Sequence, residues 1–140
     1  TQEQREERRE AIAGIATCSE LVDALLEKID AWREDGTRAG CDGGFDAAMF
    51  LEVSAEATRD ADIAAVVMSQ EPQIWEDFEA LVARSAAAAG KTLDAGALRR
   101  RTLVMRCLID GLILCYVRDP KQDRDALRRS LHEAITALCL

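Results

Sequence analysis

The sequence predicts an all-α protein, an antiparallel bundle of about six helices. Three observations carry that reading. The composition is 49% hydrophobic yet only 4% aromatic, rich in Ala, Leu, Glu and Arg, with two prolines in 140 residues, and those abundant types are strong helix formers. Apolar residues recur every three or four positions, and nowhere does the alternating pattern of a strand appear. Between the periodic stretches lie residues that start and stop helices. A chain of this length fits one domain and can bury roughly two-thirds of the surface its unfolded form exposes.

The first segment, Gln2 to about Ala16, is charged and then apolar at Ala11, Ile12 and Ile15, a helix with one modest sticky stripe. Thr17-Cys18-Ser19-Glu20 matches the capping box, in which a hydroxyl and a carboxylate satisfy orphan amides at the helix start. A second helix follows to about Asp35, with Leu21, Leu25, Ile29 and Trp32 on one face. Gly36, Gly40, Gly43 and Gly44 mark a loop; no Lys-Ser/Thr pair follows them as a phosphate cradle would require. A third helix covers about Phe45 to Thr58 and is expected to bury Met49, Phe50, Val53 and Ala57.

Asp60 can cap a fourth helical stretch, Ala61 to Ala89, where Pro72 removes a backbone donor and predicts a kink or short break. Beyond it Trp75, Phe78, Leu81 and Val82 form an apolar stripe, and Gly90 is placed to end the helix in the left-handed conformation. Asp94 caps the next helix, about Ala95 to Arg118, stopped by Asp119-Pro120; Asp123 caps the last, about Arg124 to Leu140. There is no internal repeat.

A formal net charge of -8 disfavours direct contact with nucleic acid, which needs a concentrated excess of Lys and Arg facing phosphates. The opening TQEQREERRE is charged throughout and the longest apolar run too short and too charged to span a bilayer. A soluble, cytoplasmic protein without membrane partner is expected. Five cysteines in no metal-ligand spacing fit neither a disulfide framework nor a zinc site, so no metal or cofactor is expected. Cys107, Cys115 and Cys139 read as small hydrophobes within helices, while Cys18 and Cys41 sit nearer loops. His132-Glu133 begins like a metalloprotease helix, but Thr136 stands where the second histidine belongs. No enzyme is expected.

LVMRCLIDGLILCYVRDP, from Leu103 to Pro120, is apolar nearly all the way round. Taking 100° per residue, Val104, Leu108, Gly111, Leu112 and Cys115 share one side, with Arg106 and Asp110 opposite, either paired with each other or lining a wetter face. The final helix carries Leu127, Leu131, Ala134 and Leu138 along one edge, with small Ser130 and Ala137 nearby. That is more apolar surface than a single subunit covers, and it predicts a homodimer in which the last two helices of each chain form a four-helix bundle about a two-fold axis. The interface residues expected are Leu108, Gly111, Leu112, Cys115, Leu127, Ser130, Leu131, Ala134 and Leu138. The plainer alternative is a monomeric bundle with this helix at its centre.

Three segments, FLEVSAEATRDADIAAVV from Phe50, IWEDFEALVARSAAAAGKTL from Ile74 and LIDGLILCYVRDPKQDRDALRRSLHEAITAL from Leu108, together resemble the regulatory domain of TetR-family transcriptional regulators. The first is similar to that family's E-x-x-A-E-A-x-R-D-x-x-I/L stretch; the last has its Asp-Gly-Leu, its Asp-Pro turn and its final amphipathic helix with paired arginines. The resemblance implies a repressor domain, residues 1–140, that dimerises through its last two helices and holds a small-molecule effector inside the bundle. It also implies that residues 1–16 connect to an amino-terminal helix-turn-helix, absent from this chain, through which operator DNA would be bound.

On that reading an apolar or aromatic effector biases the connector helix and so the spacing of the DNA-reading heads. Met49, Phe50, Val53, Met68, Trp75, Phe78 and Cys107 are the candidate lining, because soft and aromatic side chains make adaptable apolar walls; an ordinary core is the alternative for each. Two rival functions stand beside it: oxidation of Cys18 or Cys41 as the input signal, and a bare dimerisation module.

Overall fold

The computed structural model describes residues 2–35, 46–138 and 140 of the chain. The glycine loop, Cys41, Phe45 and Cys139 lie outside the described residues. Six helices follow one another: α1 (Gln2–Ala13), α2 (Cys18–Asp35), α3 (Ala47–Glu56), α4 (Ala61–Ala88), α5 (Ala95–Arg118) and α6 (Arg124–Ala137). Among the described residues there is no strand.

Local chemistry places the ends. Asp46, Asp60, Asp94 and Asp123 each stand at an N-cap in extended conformation, their carboxylates accepting from the amides of Met49, of Asp62 and Ile63, of Ala97 and of Ala126. At α2 the Glu20 amide donates to the Thr17 hydroxyl at 3.2 Å, and the Glu20 carboxylate reaches back to the Ala16 amide at 2.9 Å. The capping box thus closes one residue earlier than its consensus. Gly90 ends α4 with φ 75°, and around it the Lys91 amide reaches the Ala86 carbonyl and the Gly90 amide that of Ala87, both at 2.9 Å, the Schellman arrangement.

Pro72 does not break α4, which runs unbroken across it. The ion pairs Glu71–Arg106 and Glu79–Arg99 fasten α4 to α5 on both sides of the proline, and only one ladder hydrogen bond is lost. Those pairs also set the two helices antiparallel. α6 lies chiefly along α2 rather than α5, again antiparallel: Arg124 Nε donates to Asp30 at 2.7 Å, while Arg128 Nε at 2.9 Å and the His132 ring at 2.9 Å meet Asp23. His132 is therefore half-buried against a carboxylate rather than a free surface residue. The Tyr116 hydroxyl donates to Asp30 as well, and the Arg33 guanidinium stacks 4.1 Å from the Tyr116 ring.

The core forms where α2, α4 and α5 meet. Val22, Leu26, Ile29, Leu81, Val82, Met105 and Thr102 are fully enclosed, and Ile109, Leu112, Ile113, Tyr116 and Ile135 extend the cluster. Thr102 is satisfied by donating to the Leu98 carbonyl at 2.7 Å. Cys18 is also enclosed; its amide donates to the Ser85 hydroxyl at 3.2 Å, and burial pushes its thiol up from the ordinary value, opposed by Ser85 and Arg84.

Candidate functional site

α1 and α3 pack on the side of the α4–α5 pair away from α6, α1 on α4 and α3 on both. α1 is held at its end by Arg84, whose guanidinium donates to the Ile12 carbonyl at 3.1 Å and to the Ile15 carbonyl at 2.9 and 3.2 Å, satisfying acceptors that a helix C-terminus leaves open. Neither α1 nor α3 contributes much to the core, where α3 buries only Ala47 fully. The expected burial of Met49 and Val53 does not occur, and both are exposed. α3 therefore stands off from α4 and α5, and a cavity of about 470 Å³ opens between the four helices, a size within the range of small-molecule sites.

Ile12 of α1, Phe50 of α3, Ile74 and Phe78 of α4 and Ile109 and Ile113 of α5 supply its apolar walls, with Met49 and Val53 at the open side. Met49, Phe50, Val53 and Phe78 thus line the cavity as expected of them. Met68, Trp75 and Cys107 do not. Met68 and Cys107 face solvent. Trp75 lies between two guanidinium groups, Arg99 at 3.7 Å and Arg106 at 5.0 Å from its ring, on the outer side of the α4–α5 seam. A 3.6-residue period sets which residues share a face, but the azimuth at which α4 meets α5 decides which face lines the gap.

The polar part of the lining was not among the expected site residues. Gln70, Glu71, Asp77, Arg106 and Asp110 all line the cavity. Their signal was present in α4: Val67, Gln70, Glu71, Ile74, Asp77 and Phe78 share one helical stripe, and three polar groups interrupt its apolar members. Arg106 and Asp110 do not pair with each other as one sequence reading had it. Arg106 instead clasps Glu71 in two parallel hydrogen bonds, Nη1 to Oε2 at 2.5 Å and Nη2 to Oε1 at 3.1 Å, the strong fork geometry. That hydrogen bond holds the Glu71 carboxyl below its usual range against partial desolvation, and raises the Arg106 value in turn. Asp110 stands at the rim; loss of water on its cavity side raises its carboxyl above the ordinary value, Arg106 lowering and Glu71 further raising it.

Asp77 lies deepest of the acids, its side chain 13% exposed. Oδ1 accepts from the Gln73 amide at 3.0 Å and faces Arg9 of α1 at 3.9 Å. Oδ2 is buried, and among the described residues it has no partner. A buried acceptor left this way costs about 1–3 kcal/mol, so it calls for an explanation.

The second surface feature is on α5. Its buried residues occupy one side, while Leu103, Val104, Cys107, Leu114 and Cys115 face outward. Gly111 sits at the middle of this stripe, and a Cβ placed there would meet nothing within 4 Å. Leu103 is 53% exposed, Leu114 42% and Leu138 at the end of α6 47%. Of the expected interface residues, Gly111, Cys115, Ser130 and Leu138 belong to this open surface; Leu108, Leu127 and Leu131 lean on the subunit's own core, and Ala134 is half-buried. Leu112 is a correction: it is 2% exposed inside its own chain, because it projects on the same side of α5 as Met105, Ile109 and Tyr116. Cys107 and Cys115 are likewise exposed thiols rather than core hydrophobes.

No group of three or more metal-ligating side chains occurs among the described residues, and no described helix is long and apolar enough to cross a membrane. Comparison with known families, with curated proteins and with solved structures finds no match to this chain.

Proposed function

We propose that the chain is the effector-binding and homodimerising part of a transcriptional regulator resembling the TetR family, and that it takes a small molecule with an apolar or aromatic body between α1, α3, α4 and α5. One observation carries the reading: the cavity is walled on one side by Ile12, so an occupant touches the helix the resemblance assigns as connector. α1 is otherwise tied to the bundle through Arg84 and Arg9. A ligand that packs better against one placement of α1 than another shifts its populations by that difference, and operator affinity follows by linkage.

The same proposal takes the outward stripe of α5, with Leu138 of α6, as the contact with a second copy. Its notch at Gly111 lets a helix approach closely, and a symmetric dimer sets the same patch against itself. Oxidation of Cys18 as the input is disfavoured by its enclosure and by the upward push on its thiol, since thiolate character and access govern such chemistry.

The test is thermal denaturation with a panel of small aromatic and aliphatic compounds. A compound at a hundred times its dissociation constant stabilises by about 2.7 kcal/mol. Val53→Trp, at the exposed mouth and away from the core, should abolish the response while leaving the unliganded protein folded. A panel without any response, or a response that survives Val53→Trp, would refute the assignment.

A further inference from the structure

The cavity's charge and its one unpartnered acceptor narrow the class of molecule it takes; this step rests on the reading of the cavity as a ligand site. Within the lining, Glu71 and Arg106 satisfy each other in a closed fork. That leaves Asp77 and Asp110 as the carboxylates facing the space, and no cation of the lining is left for them. Arg9, which approaches Asp77 from α1, does so at 3.9 Å and only on Oδ1. Around them the walls are Ile, Phe, Val and Met side chains.

The register fixed by Glu71–Arg106 sets Asp110 opposite a position one turn before Glu71 on α4, about ten residues or roughly 15 Å of helix rise from the level of Asp77. The two acids therefore stand toward opposite ends of the space, and one small head group meets only one of them. Asp77 is the deeper and has the bare oxygen.

We infer that the cavity binds an organic amine with an apolar body, its ammonium donating to Asp77 Oδ2 and its hydrocarbon lying along Ile74, Phe78, Ile109 and Ile113 toward the mouth at Met49 and Val53. An N–H donor is what the oxygen lacks, and a charged donor makes the stronger bond to a carboxylate. Asp110 at the rim adds an attractive field for a cation on its way in. An anionic ligand meets two like charges, and a neutral one leaves Oδ2 without a charged donor.

Three isosteric probes decide it by calorimetric titration at neutral pH: phenylbutylamine, phenylbutanol and phenylbutanoate. The amine is expected to bind at least about tenfold tighter than the alcohol, with the acid weakest. Asp77→Asn, of the same shape, should reduce the amine's advantage to less than about threefold while leaving alcohol binding in place; Asp77→Ser serves if the asparagine variant does not fold, and the wild-type ranking needs no variant. An alcohol that equals or exceeds the amine overturns the inference and leaves the cavity reading standing. An amine preference retained in Asp77→Asn overturns the assignment of Asp77. Failure of all three probes to bind overturns this inference, and the separate compound panel with Val53→Trp then decides whether the cavity reading falls with it.

Discussion

Replacing Leu114 by Glu separates the association of two chains from the folding of one. Leu114 is 42% exposed on the outward side of α5, so within its own subunit it has already gained most of what burial offers. Enclosing a leucine side chain completely is worth about 1.5–3 kcal/mol. The exposed share corresponds to roughly 1 kcal/mol per chain, and a two-fold interface counts it twice. Glu at this position would forfeit that gain and bring two carboxylates out of water near the axis, each at a further cost of several kcal/mol unless it protonates. A weakening of at least about 3 kcal/mol is expected, on the order of a hundredfold in the dimer dissociation constant. Stability of the isolated subunit should change by no more than about 0.5 kcal/mol, as for other surface substitutions. Sedimentation velocity over a micromolar concentration series, with denaturant melts of both proteins, reads the two effects apart. A wild-type protein that sediments as single chains throughout refutes the reasoning, as does a variant that loses several kcal/mol of folding stability.

Other consequences follow from the same geometry. Alkylation with peptide mapping should label Cys107 and Cys115 in the native single chain and Cys18 only after unfolding, with protection of the first two as concentration rises; rapid native labelling of Cys18 would contradict its enclosure. Ser85→Ala leaves the buried Cys18 amide without its acceptor and should cost about 1–3 kcal/mol in chemical denaturation. The two shifted acids have opposite signs. Glu71, held below the ordinary value, contributes stability that is present above its unfolded value and lost as pH falls through the folded one, so Glu71→Gln should flatten the acid limb of the stability curve. Asp110, held above it, opposes folding at neutral pH and ceases to as it takes up a proton, so Asp110→Asn should stabilise the protein at neutral pH and lose that advantage in acid.

The candidate site was legible in its apolar half. Phe50 and Phe78 announce themselves by size and spacing, and Met49 and Val53 share the face of Phe50. Asp77 and Glu71 were not singled out, because a polar residue within an amphipathic helix is ordinarily a solvated one. Only the position of α1 over α4 makes Asp77 a buried acid, and only the register of α5 gives Glu71 its arginine. Trp75 misled for the converse reason: a large aromatic ring reads as a cavity wall, but here its faces are taken by two guanidinium groups across the α4–α5 seam.

What the sequence determined by itself was the set of helices and nearly all their limits. Four aspartate caps, the Thr17–Glu20 box, Gly90 and Asp119-Pro120 act through hydrogen bonds and torsions spanning no more than a few residues, so their effects can be read without knowing the fold. The tertiary structure decided what each helix faces. It enclosed Leu112 and left Leu114 and Cys115 outside, carried α4 intact across Pro72 by fastening it on both sides, and laid α6 along α2. Those outcomes depend on how helices distant in the chain approach one another, and a helical period that fixes which side chains travel together carries no information about the angle at which they arrive.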